Sequence, residues 1–413
     1  MRHSQAEMEA SLSTAEARRT ARNRRLQLVL VLGSLTALAP LSIDMYLPAL
    51  PMLAGDFQAS SASAQLSLTA FFLGLACGQL IAGPVSDAVG RRKPLLIGMS
   101  VYVAVSMLGA AAPSIEVFVL LRLVQGFAGA FGIVIARAIV RDYYAGAELT
   151  RFFAMLSMVG GAAPVLAPIA GGLLLAVIAW PGIFLVLGGL GACMLLAAFY
   201  VVPESLADDN RVKGGLGKSL SVMRMLLADR AFMGYVLALG LVSAGLFAYI
   251  AGSPFVLQDI FGVSPQVFSL MFAANGVGFI VGSQLAARFA LRFGEKRVLA
   301  FGLYLSAING LILLLILIGG AGLTYVLPPL FIIVCCIGIV STAGSSLALQ
   351  NHQKSAGSAA ALMGLFSMLL GAVASPLVGL GGSLTALPMG LVIAVCNIGA
   401  LGCYLGLVRR RPL

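Results

Sequence analysis

Twelve long apolar runs constrain what this chain can fold into more than any other feature of its sequence. A helix that crosses a bilayer needs about 20 predominantly apolar residues. Backbone groups inside the bilayer must be satisfied within the segment, so these runs are helices; barrel strands would be shorter and would alternate. The runs comprise residues 26–50, 64–85, 94–112, 117–140, 152–177, 182–202, 231–252, 266–287, 298–318, 325–349, 356–380 and 385–407. The sequence therefore predicts an all-α membrane protein with twelve transmembrane helices.

The composition and the distribution of charge agree with a membrane location. Hydrophobic residues make up 60% and charged residues 10% of the 413 positions, too few charges to cover the surface of a soluble domain. The formal net charge of +11 would suit a nucleic-acid partner, but Lys and Arg cluster in every second connection. The remaining connections carry only Asp56, Glu116 and Asp259 as charged residues. By the positive-inside rule, this pattern places both termini in the cytoplasm and argues against nucleic acid.

A hydrophilic stretch divides the twelve runs into two groups of six. We expect a cytoplasmic N-terminal tail at 1–25, a six-helix half at 26–202, a cytoplasmic central loop at 203–230, a second six-helix half at 231–408 and a cytoplasmic tail at 409–413. The turn after the second run, at 83–93, and the turn after the eighth, at 282–297, both place glycine at a helix end and basic residues in a short connection. This echo predicts two pseudo-symmetric halves that enclose a site near the middle of the membrane.

Three ionisable residues, Asp44, Arg122 and Arg137, lie clearly inside the apolar runs. Each is costly against lipid, so each should face protein or water. At about 1.5 Å of rise per residue, Asp44 and Arg122 fall at a similar depth in the outer half of the bilayer, and we predict that they pair. Arg137 lies near the cytoplasmic end of its run, where a long side chain reaches the interface. A static ion pair that joins two helices is the alternative to a functional Asp44–Arg122 pair.

The functional reading of Asp44 and Arg122 is proton coupling. Movement of Arg122, or the arrival of a substrate, would change the proton occupancy of Asp44, so proton and substrate would compete for one site. Asp44 is the only acid inside a run, which leaves a proton-coupled mechanism few other candidates. We assign five residues to the substrate cavity: Asp44, Tyr46, Arg122, Gln125 and Asn275.

The charged turn after the second run is a candidate conformational gate. We expect Asp87 to cap a neighbouring helix N-terminus and Arg91 to bridge to Asp142 at the end of the fourth run, which would close the inner side. A turn that only sets membrane orientation explains the same charges. The residues assigned to the gate are Gly83, Asp87, Gly90, Arg91, Arg92 and Asp142.

The fifth run carries a glycine- and proline-rich motif. Proline removes backbone donors and bends the helix, while glycine permits close helix contact. We predict a helix-packing role for Gly160, Pro164, Pro168, Gly171 and Gly172, although such residues are common in membrane helices generally.

Cofactor and enzyme chemistry find no support in the sequence. The six cysteines fall within the runs, where buried thiols behave as small apolar residues, and we infer neither disulfides nor a metal site. His3 and His352 are the only histidines and neither lies in mid-membrane, which excludes a histidine proton relay. Nothing in the sequence suggests a nucleophile–base set or an ATP-binding loop, so we expect no enzyme and no cofactor.

Several motifs together resemble a known family. The 83–93 turn resembles the signature loop of the major facilitator superfamily, and Leu121-Arg-Leu-Val-Gln-Gly-Phe-Ala-Gly129 resembles its fourth-span motif, whose arginine is implicated in proton transfer. Leu41-Ser-Ile-Asp-Met-Tyr-Leu-Pro-Ala-Leu-Pro51 is similar to the first-span motif of drug–proton antiporters with twelve spans. A narrower resemblance is to the bicyclomycin and chloramphenicol resistance branch, Bcr/CflA. It is carried by Asp44-Met-Tyr-Leu-Pro48, Ala136-Arg-Ala-Ile-Val-Arg-Asp142, Gly252-Ser-Pro-Phe-Val256 and Ala356-Gly-Ser-Ala-Ala360. One departure is the fifth-span motif, which usually shows Gly-Pro, whereas here the prolines follow Ala163 and Ala167.

The resemblance implies a function and partners. It implies alternating access between two six-helix halves and exchange of protons for a drug such as a chloramphenicol- or bicyclomycin-like compound, with Asp44 and Arg122 at the matching positions. We expect a monomer in the bacterial inner membrane whose partners are the small-molecule drug, protons and the lipid bilayer. Export of a small metabolite, such as an amino acid or peptide, and a transport-dead membrane sensor are the alternatives.

Overall fold

The computed structural model describes residues 27–144, 146–207, 211, 224–350, 352, 356–382 and 385–408. Over these ranges the regular secondary structure is helical. Each predicted span coincides with a helix, and ten of the described helices are long and apolar enough to cross a membrane. The predicted all-α architecture of twelve membrane helices is confirmed. The helices are α1 Gln27–Asp56, α2 Ser61–Val89, α3 Arg92–Gly109, α4 Ile115–Tyr143, α5 Gly146–Leu174, α6 Trp180–Val201, α7 Arg230–Ile260, α8 Pro265–Phe293, α9 Glu295–Ile318, α10 Leu323–Gln350, α11 Ala356–Gly379 and α12 Leu387–Val408.

Short polar side chains fix where several helices begin. Ser60, Ser114 and Ser264 precede α2, α4 and α8, and each side-chain oxygen accepts a hydrogen bond from the backbone N–H three residues further on. Asp229 caps α7 by the same kind of bond. A cap satisfies one of the backbone N–H groups that the first turn of a helix leaves unpaired. The three serine caps lie at the membrane face from which α2, α4 and α8 begin. The Asp229 cap lies at the other membrane face, from which α7 begins.

The two halves repeat the same structural features at a constant spacing. Ser60 and Ser264, 204 residues apart, are the caps of α2 and α8. Gly90 and Gly294, again 204 residues apart, end these helices with φ of 100° and 84°. Only glycine adopts such a backbone without strain. Helices α1–α6 and α7–α12 are therefore structural repeats, as the two similar turns predicted. The tails at 1–25 and 409–413, and most of the connection at 203–230, lie outside the described residues.

The halves meet along two pairs of helices, α2 with α11 and α5 with α8. One membrane face carries the basic turns, and we call it the basic face; the other carries Asp56 and Asp259 and is the opposite face. At the opposite face, the amide Nε2 of Gln258 donates to the carbonyl of Pro48 over 3.2 Å, between α7 and α1. The Nε2 of Gln266 similarly donates to the carbonyl of Gly172 over 3.3 Å, between α8 and α5. These bonds join the halves and close the opposite face.

A cavity opens between the halves toward the basic face. Its volume is about 330 Å³, and residues of α2, α4, α5 and α11 line it. In the described part of the chain, the space between the halves is therefore open toward the basic face, while contacts between the halves close the opposite face. The cavity residues are Ala76, Gln79, Leu80, Ile133, Val134, Arg137, Arg141, Phe153, Ala360, Ala361 and Leu365.

Close packing at Gly172 predicts a conformational effect of substitution. A Cβ at Gly172 would overlap the hydroxyl of Ser269 on α8, and Ser269 Cβ would lie 2.9 Å away. Overpacking of this kind costs about 1–3 kcal/mol, and a bias of that size shifts a two-state population about 5–150-fold. We expect Gly172→Val to depopulate the state that is closed at the opposite face. Cross-linking by a short bis-maleimide between cysteines placed at the opposite-face ends of α1 and α7, at positions other than Pro48 and Gln258, in a cysteine-free background, measures this shift.

The matched control for Gly172→Val is Gly161→Val in the same helix. A Cβ at Gly161 meets no atom within 4 Å, so cross-linking should stay at the parent level. Equal cross-linking in the two variants would show that contact at Gly172 does not govern closure.

Candidate functional site

The first helix breaks directly after Asp44. Met45 and Tyr46 form a turn, a 3-10 turn follows at Leu47–Ala49, and the α-helix resumes at Leu50–Asp56. Prolines at positions 48 and 51 cause this break, because each lacks an N–H and its ring clashes with the preceding helical turn. The break exposes the carbonyl of Met45, and Gly171 of α5 packs directly against it, so that a Cβ at Gly171 would overlap this oxygen. The predicted packing role of Gly171 thus has a physical basis at the break.

Asp44 lies at this break, and the 3-10 turn that follows it contacts α7 and α8 of the second half. The Asp44 side chain is 5% exposed. Within the described part of the chain, it forms no ion pair and no hydrogen bond is seen to its carboxylate. It lies within electrostatic range of the Tyr249 hydroxyl on α7, which accepts a hydrogen bond from Asn275 Nδ2 on α8 over 2.7 Å. Asp44 and Asn275 therefore belong to one junction between the halves. Sequence reasoning missed Tyr249, although a phenol inside a span needs a polar partner.

Arg122 does not form the ion pair with Asp44 that the matched depth predicted. Its guanidinium carbon lies 4.3 Å from the ring centroid of Tyr46, 4.4 Å from that of Phe71 and 5.7 Å from that of Phe184. The side chain is 1% exposed, and its Nε and Nη2 have no hydrogen-bond partner among the described residues. The similar depth predicted for Asp44 and Arg122 fits the structure, since Arg122 contacts Tyr46, two residues after Asp44. The turn after Asp44, however, directs the ring of Tyr46 toward Arg122. An aromatic cage therefore holds the buried cation instead of a carboxylate.

A chain of hydrogen bonds ties the caged Arg122 to neighbouring helices. Its Nη1 donates to Gln125 Oε1 over 2.6 Å, and Gln125 Nε2 donates to Ser106 Oγ on α3 over 2.7 Å. Ser106 Oγ also donates to the carbonyl of Tyr102, whose hydroxyl is hydrogen-bonded to Ser42 of α1 at 2.7 Å. The network links α1, α3 and α4, so a movement of α1 at the break would be felt by the guanidinium.

The five residues assigned to the substrate cavity separate into two groups. Tyr46, Arg122 and Gln125 are fully buried within the first half. Asp44 and Asn275 lie at the junction between the halves, almost but not completely buried. None of the five is among the residues that line the cavity open toward the basic face. The assignment of all five residues as substrate contacts stays a prediction.

The wall of the open cavity holds two arginines. Arg137, expected to reach the membrane interface, instead lines the cavity beside Gln79 of α2, and Arg141 lies one turn further along α4. Both arginine side chains are exposed to the cavity. Sequence reasoning did not single out Arg141 for this wall. A spacing of four residues on one helix face was the available signal.

The basic turn forms a charge cluster. Arg91 Nε donates to Asp142 Oδ2 over 2.9 Å, its Nη1 donates to Ser86 Oγ over 2.9 Å, and Nη1 also contacts Asp87 Oδ1. The bridge between Arg91 and Asp142 is thus formed, but all its members belong to the first half. It does not join the halves across the cavity, and a gating role would act through movement of α2, α3 and α4 against one another. That role stays a prediction.

The second half repeats this contact without a basic residue. Glu295 and Ser346 lie 204 residues beyond Arg91 and Asp142, and Ser346 Oγ donates to Glu295 Oε1 over 2.7 Å. The same two helix ends are therefore tied in both halves. The ion pair is specific to the first half.

Glu204, rather than Asp87, caps the helix after the basic turn. Its Oε1 accepts the backbone N–H of Arg91 over 2.7 Å and its Oε2 that of Arg92 over 3.1 Å, both at the start of α3. A Cβ at Gly90 would lie 2.6 Å from Glu204 Oε2, which adds a steric reason for glycine to its φ of 100°. Asp87 is occupied by Arg91 instead, so its predicted capping role is wrong. Glu204 comes from a connection more than 100 residues away, which local sequence reasoning does not reach.

Two other members of the predicted gate have simpler surroundings. Arg92 Nη2 donates to the carbonyl of Phe199 over 2.7 Å, which ties α3 to α6. A Cβ at Gly83 would meet only Val134 Cγ1 at 3.9 Å, an ordinary contact. Nothing in these contacts requires glycine at position 83.

Replacement of Glu204 should make the protein less stable and change its pH dependence. Partial burial raises the pKa of Glu204, but the N–H bonds from Arg91, Leu206 and Arg92 and the charge of Arg211 outweigh burial and leave the pKa below 4.5. A carboxyl with a lowered pKa stabilises the fold above its ordinary pKa, and that stabilisation is lost as the pH falls through the folded-state pKa. Loss of such a cap costs about 1 kcal/mol. We expect Glu204→Gln to lower the thermal unfolding midpoint at neutral pH and to narrow its difference from wild type below pH 4.5.

Thermal scans of purified protein between neutral and acidic pH check this expectation. Glu148→Gln, an exposed acid at the start of α5, serves as the control. A pH-independent difference between Glu204→Gln and wild type would contradict the assigned role of the charge.

The remaining residues of the glycine–proline motif lie along α5. Pro164 and Pro168 are inside the helix, and the contacts of Gly160 fall outside the described residues. The contacts of Gly171 and Gly172 therefore carry the structural case for the motif.

Comparison with known proteins identifies the family of this chain. Residues 32–376 match the profile of the Major Facilitator Superfamily, which covers both halves and the site at their junction. The chain belongs to the major facilitator superfamily. It is a membrane transporter and not an enzyme, and its relatives confirm the resemblance to the drug-efflux branch Bcr/CflA.

Two relatives and one solved structure illustrate the match. An uncharacterised MFS-type transporter of Bacillus subtilis, YdgK, is 43% identical over 94% of this chain and 96% of its own length. A bicyclomycin resistance protein homolog of Haemophilus influenzae is 30% identical over 92% of this chain and 96% of its own length. Among solved structures, a bacterial homolog of the human lysosomal transporter Spinster superposes with a TM-score of 0.75 at 16% identity, covering 94% of this chain and 97% of that one. The last likeness concerns the fold alone.

Proposed function

We propose that this transporter is a proton-coupled exporter of small drug-like molecules, such as chloramphenicol- or bicyclomycin-like compounds. The observation that carries the proposal is Asp44, a buried acid without a described hydrogen-bond or ion-pair partner, at a helix break where the two halves meet. An unpaired ionisable group at this depth is costly, and such groups mark proton and substrate pathways. The relatives named for bicyclomycin, chloramphenicol and multidrug resistance support the choice of cargo.

The proposal also fixes an orientation and an assembly state. Basic connections stay in the cytoplasm during insertion, so the basic face is cytoplasmic and both termini lie on that side of the inner membrane. The structure then represents the inward-facing state, ready to receive cargo from the cell. A single chain contains both halves and the cavity between them, which supports a monomeric transporter.

In the transport cycle, either a proton or the cargo occupies the junction between the halves, but never both together. In the inward-facing state, cargo enters the cavity from the cytoplasm and approaches Asp44, which loses its proton to the cytoplasm. The bonds from Gln258 to Pro48 and from Gln266 to Gly172 then break as the halves rock, and the junction opens outward. Protonation of Asp44 from the outside neutralises the acid and releases the cargo. The protonated junction then returns to the inward-facing state.

Arg122 and the break in α1 couple these events. The Tyr46 ring contacts the caged guanidinium, and Asp44 lies two residues earlier on the same broken segment. When Asp44 is ionised, attraction to the buried cation favours a displacement of the broken segment. When Asp44 is protonated, that attraction vanishes and the cage is stable. The energy available is adequate, since each charge that moves through about 100 mV gains about 2.3 kcal/mol.

A drug panel tests the proposal. Hypersusceptible bacteria that express the chain are scored for resistance to chloramphenicol, bicyclomycin and unrelated antibiotics, with and without a protonophore at a sublethal dose. We expect resistance to some members of the panel that disappears with the gradient. Resistance that survives collapse of the gradient would remove proton coupling, and no change in susceptibility would favour a metabolite exporter or a sensor.

A further inference from the structure

We infer that the cavity open to the basic face is a binding site for an anionic group on the cargo, with Arg137 as its principal contact. The inference rests on the proposed export function and extends its substrate class to small amphipathic monoanions, whose charged group is held at Arg137 and away from Asp44. It stands on the composition of the cavity wall, on the absence of a counter-charge and on the position of Arg137 within its helix.

The cavity wall combines three polar side chains with apolar surface from all four lining helices. Gln79 of α2 and Arg137 and Arg141 of α4 supply the polar groups. Phe153 of α5 and Leu365 of α11, from the facing helices, supply apolar surface. A volume of about 330 Å³ falls at the lower end of the range that holds small ligands. The cavity thus suits a compact molecule with one charged end and one apolar end.

Neither cavity arginine has an acid to neutralise it within the described part of the chain. No carboxylate there lies within ion-pair distance of Arg137 or Arg141. Arg91 shows the contrast, because Asp87 and Asp142 both contact its guanidinium. A cation held in a partly dry cavity is stabilised by a negative ligand, and here the cargo supplies the negative charge that the protein does not.

The position of Arg137 does not fit a residue that only sets membrane orientation. Arg137 lies six residues before the end of α4 at Tyr143, about 9 Å along the helix and one turn deeper than Arg141. Its neighbours across the cavity, Ala360 and Ala361, belong to the other half. An arginine placed between the halves meets whatever occupies the transport path.

The geometry of the group defines the ligand. A guanidinium binds a carboxylate or a similar planar anion through two parallel N–H bonds. The amide of Gln79 adds a donor next to it, and the Phe153 side adds apolar contact. The expected ligand is therefore an aromatic or aliphatic carboxylate, not a polyanion. Export of a monoanion in exchange for a proton moves both charges in the direction that an inside-negative potential favours, so exchange should be electrogenic.

Calorimetric titration of the purified full-length protein in detergent tests the site. The probes are three matched pairs, benzoate with benzamide, salicylate with salicylamide, and 4-aminobenzoate with 4-aminobenzamide. We expect each carboxylate to bind about tenfold or more tightly than its amide, the size of a charge-assisted bond. Arg137→Gln should abolish the preference and Arg137→Lys should keep part of it. Arg288→Gln, an exposed arginine of α8 outside the cavity, should leave it intact.

The result that overturns the site is equal binding of carboxylates and amides, or a preference that persists in Arg137→Gln protein of normal monodispersity. The titration uses no gradient, so its outcome does not depend on proton coupling. Protonophore-sensitive resistance without any carboxylate preference would leave the proposed function in place and remove this inference. Carboxylate preference without protonophore-sensitive resistance would support this binding site and remove the proposed proton-coupled function.

Discussion

Asp44→Asn should abolish proton-coupled export while the protein is still produced and folded. Asparagine keeps the shape of the aspartic acid but cannot release a proton, so the junction stays neutral in both states. The carboxylate has no described hydrogen-bond partner to lose, and the amide removes the cost of burying a charge. Drug resistance and drug-driven proton flux in vesicles should fall to the level of vesicles without the protein. The thermal unfolding midpoint should not fall.

The control for Asp44→Asn is Glu116→Gln, an exposed acid at the start of α4. It removes the same charge from the same half and should retain full export. Asp44→Glu, which keeps a titratable group, should retain a measurable part. Full resistance in the Asp44→Asn variant would place the transported proton on another group.

Arg122→Met should separate a coupling role from a structural one. Methionine fills the cage formed by Tyr46, Phe71 and Phe184 with an apolar chain of similar length. It gives up three cation–π contacts and the bond to Gln125, but it also removes a buried charge with two unpaired nitrogens. Replacement of a buried charge by an apolar side chain is often neutral or stabilising by about 1–4 kcal/mol. We therefore expect near-wild-type thermal stability together with loss of proton-coupled export.

Thermal scans and vesicle flux on the same preparations decide the role of Arg122. Arg122→Lys keeps the charge without the planar stack and should show intermediate export. A large drop in the unfolding midpoint of Arg122→Met, with export intact in the folded fraction, would make Arg122 a structural residue. The coupling scheme would then lose its second member.

The twelve helices could be predicted because the bilayer leaves few choices. A run of apolar residues long enough to span the membrane must satisfy its backbone internally, so length and composition settle its structure. Helix ends were less predictable, since apolar runs do not include polar end turns. The first run ends at 50, whereas α1 continues to Asp56, and the eighth ends at 287, whereas α8 continues to Phe293.

The membrane depth of the site residues could be predicted from the sequence, but the directions of their side chains could not. Counting residues placed Asp44 and Arg122 at one level, but the direction of each side chain depends on the turn that the prolines at 48 and 51 impose after Asp44. That turn brings the ring of Tyr46, and not the carboxylate of Asp44, against Arg122. Motif spacing along one helix carries no information on such contacts.

Long-range partners were the other gap. Glu204 contacts the start of α3 from a connection four spans later, and Arg137 faces helices of both halves. The Arg91–Asp142 contact was within reach because a basic turn and an acid at a helix end carry opposite charges on the same membrane face. Opposite charge and shared depth were not enough for Asp44 and Arg122, because packing around the helix break decides which groups meet.

Exchange at Asp44 is tested most directly by proton release on cargo binding. The purified protein is placed in weakly buffered detergent solution with a pH indicator, and the compound that gives the strongest protonophore-sensitive resistance is added. The account predicts acidification that saturates with occupancy in wild type and is absent in Asp44→Asn. Binding of the compound with no proton release at any pH, or equal release from the Asp44→Asn variant, would contradict it.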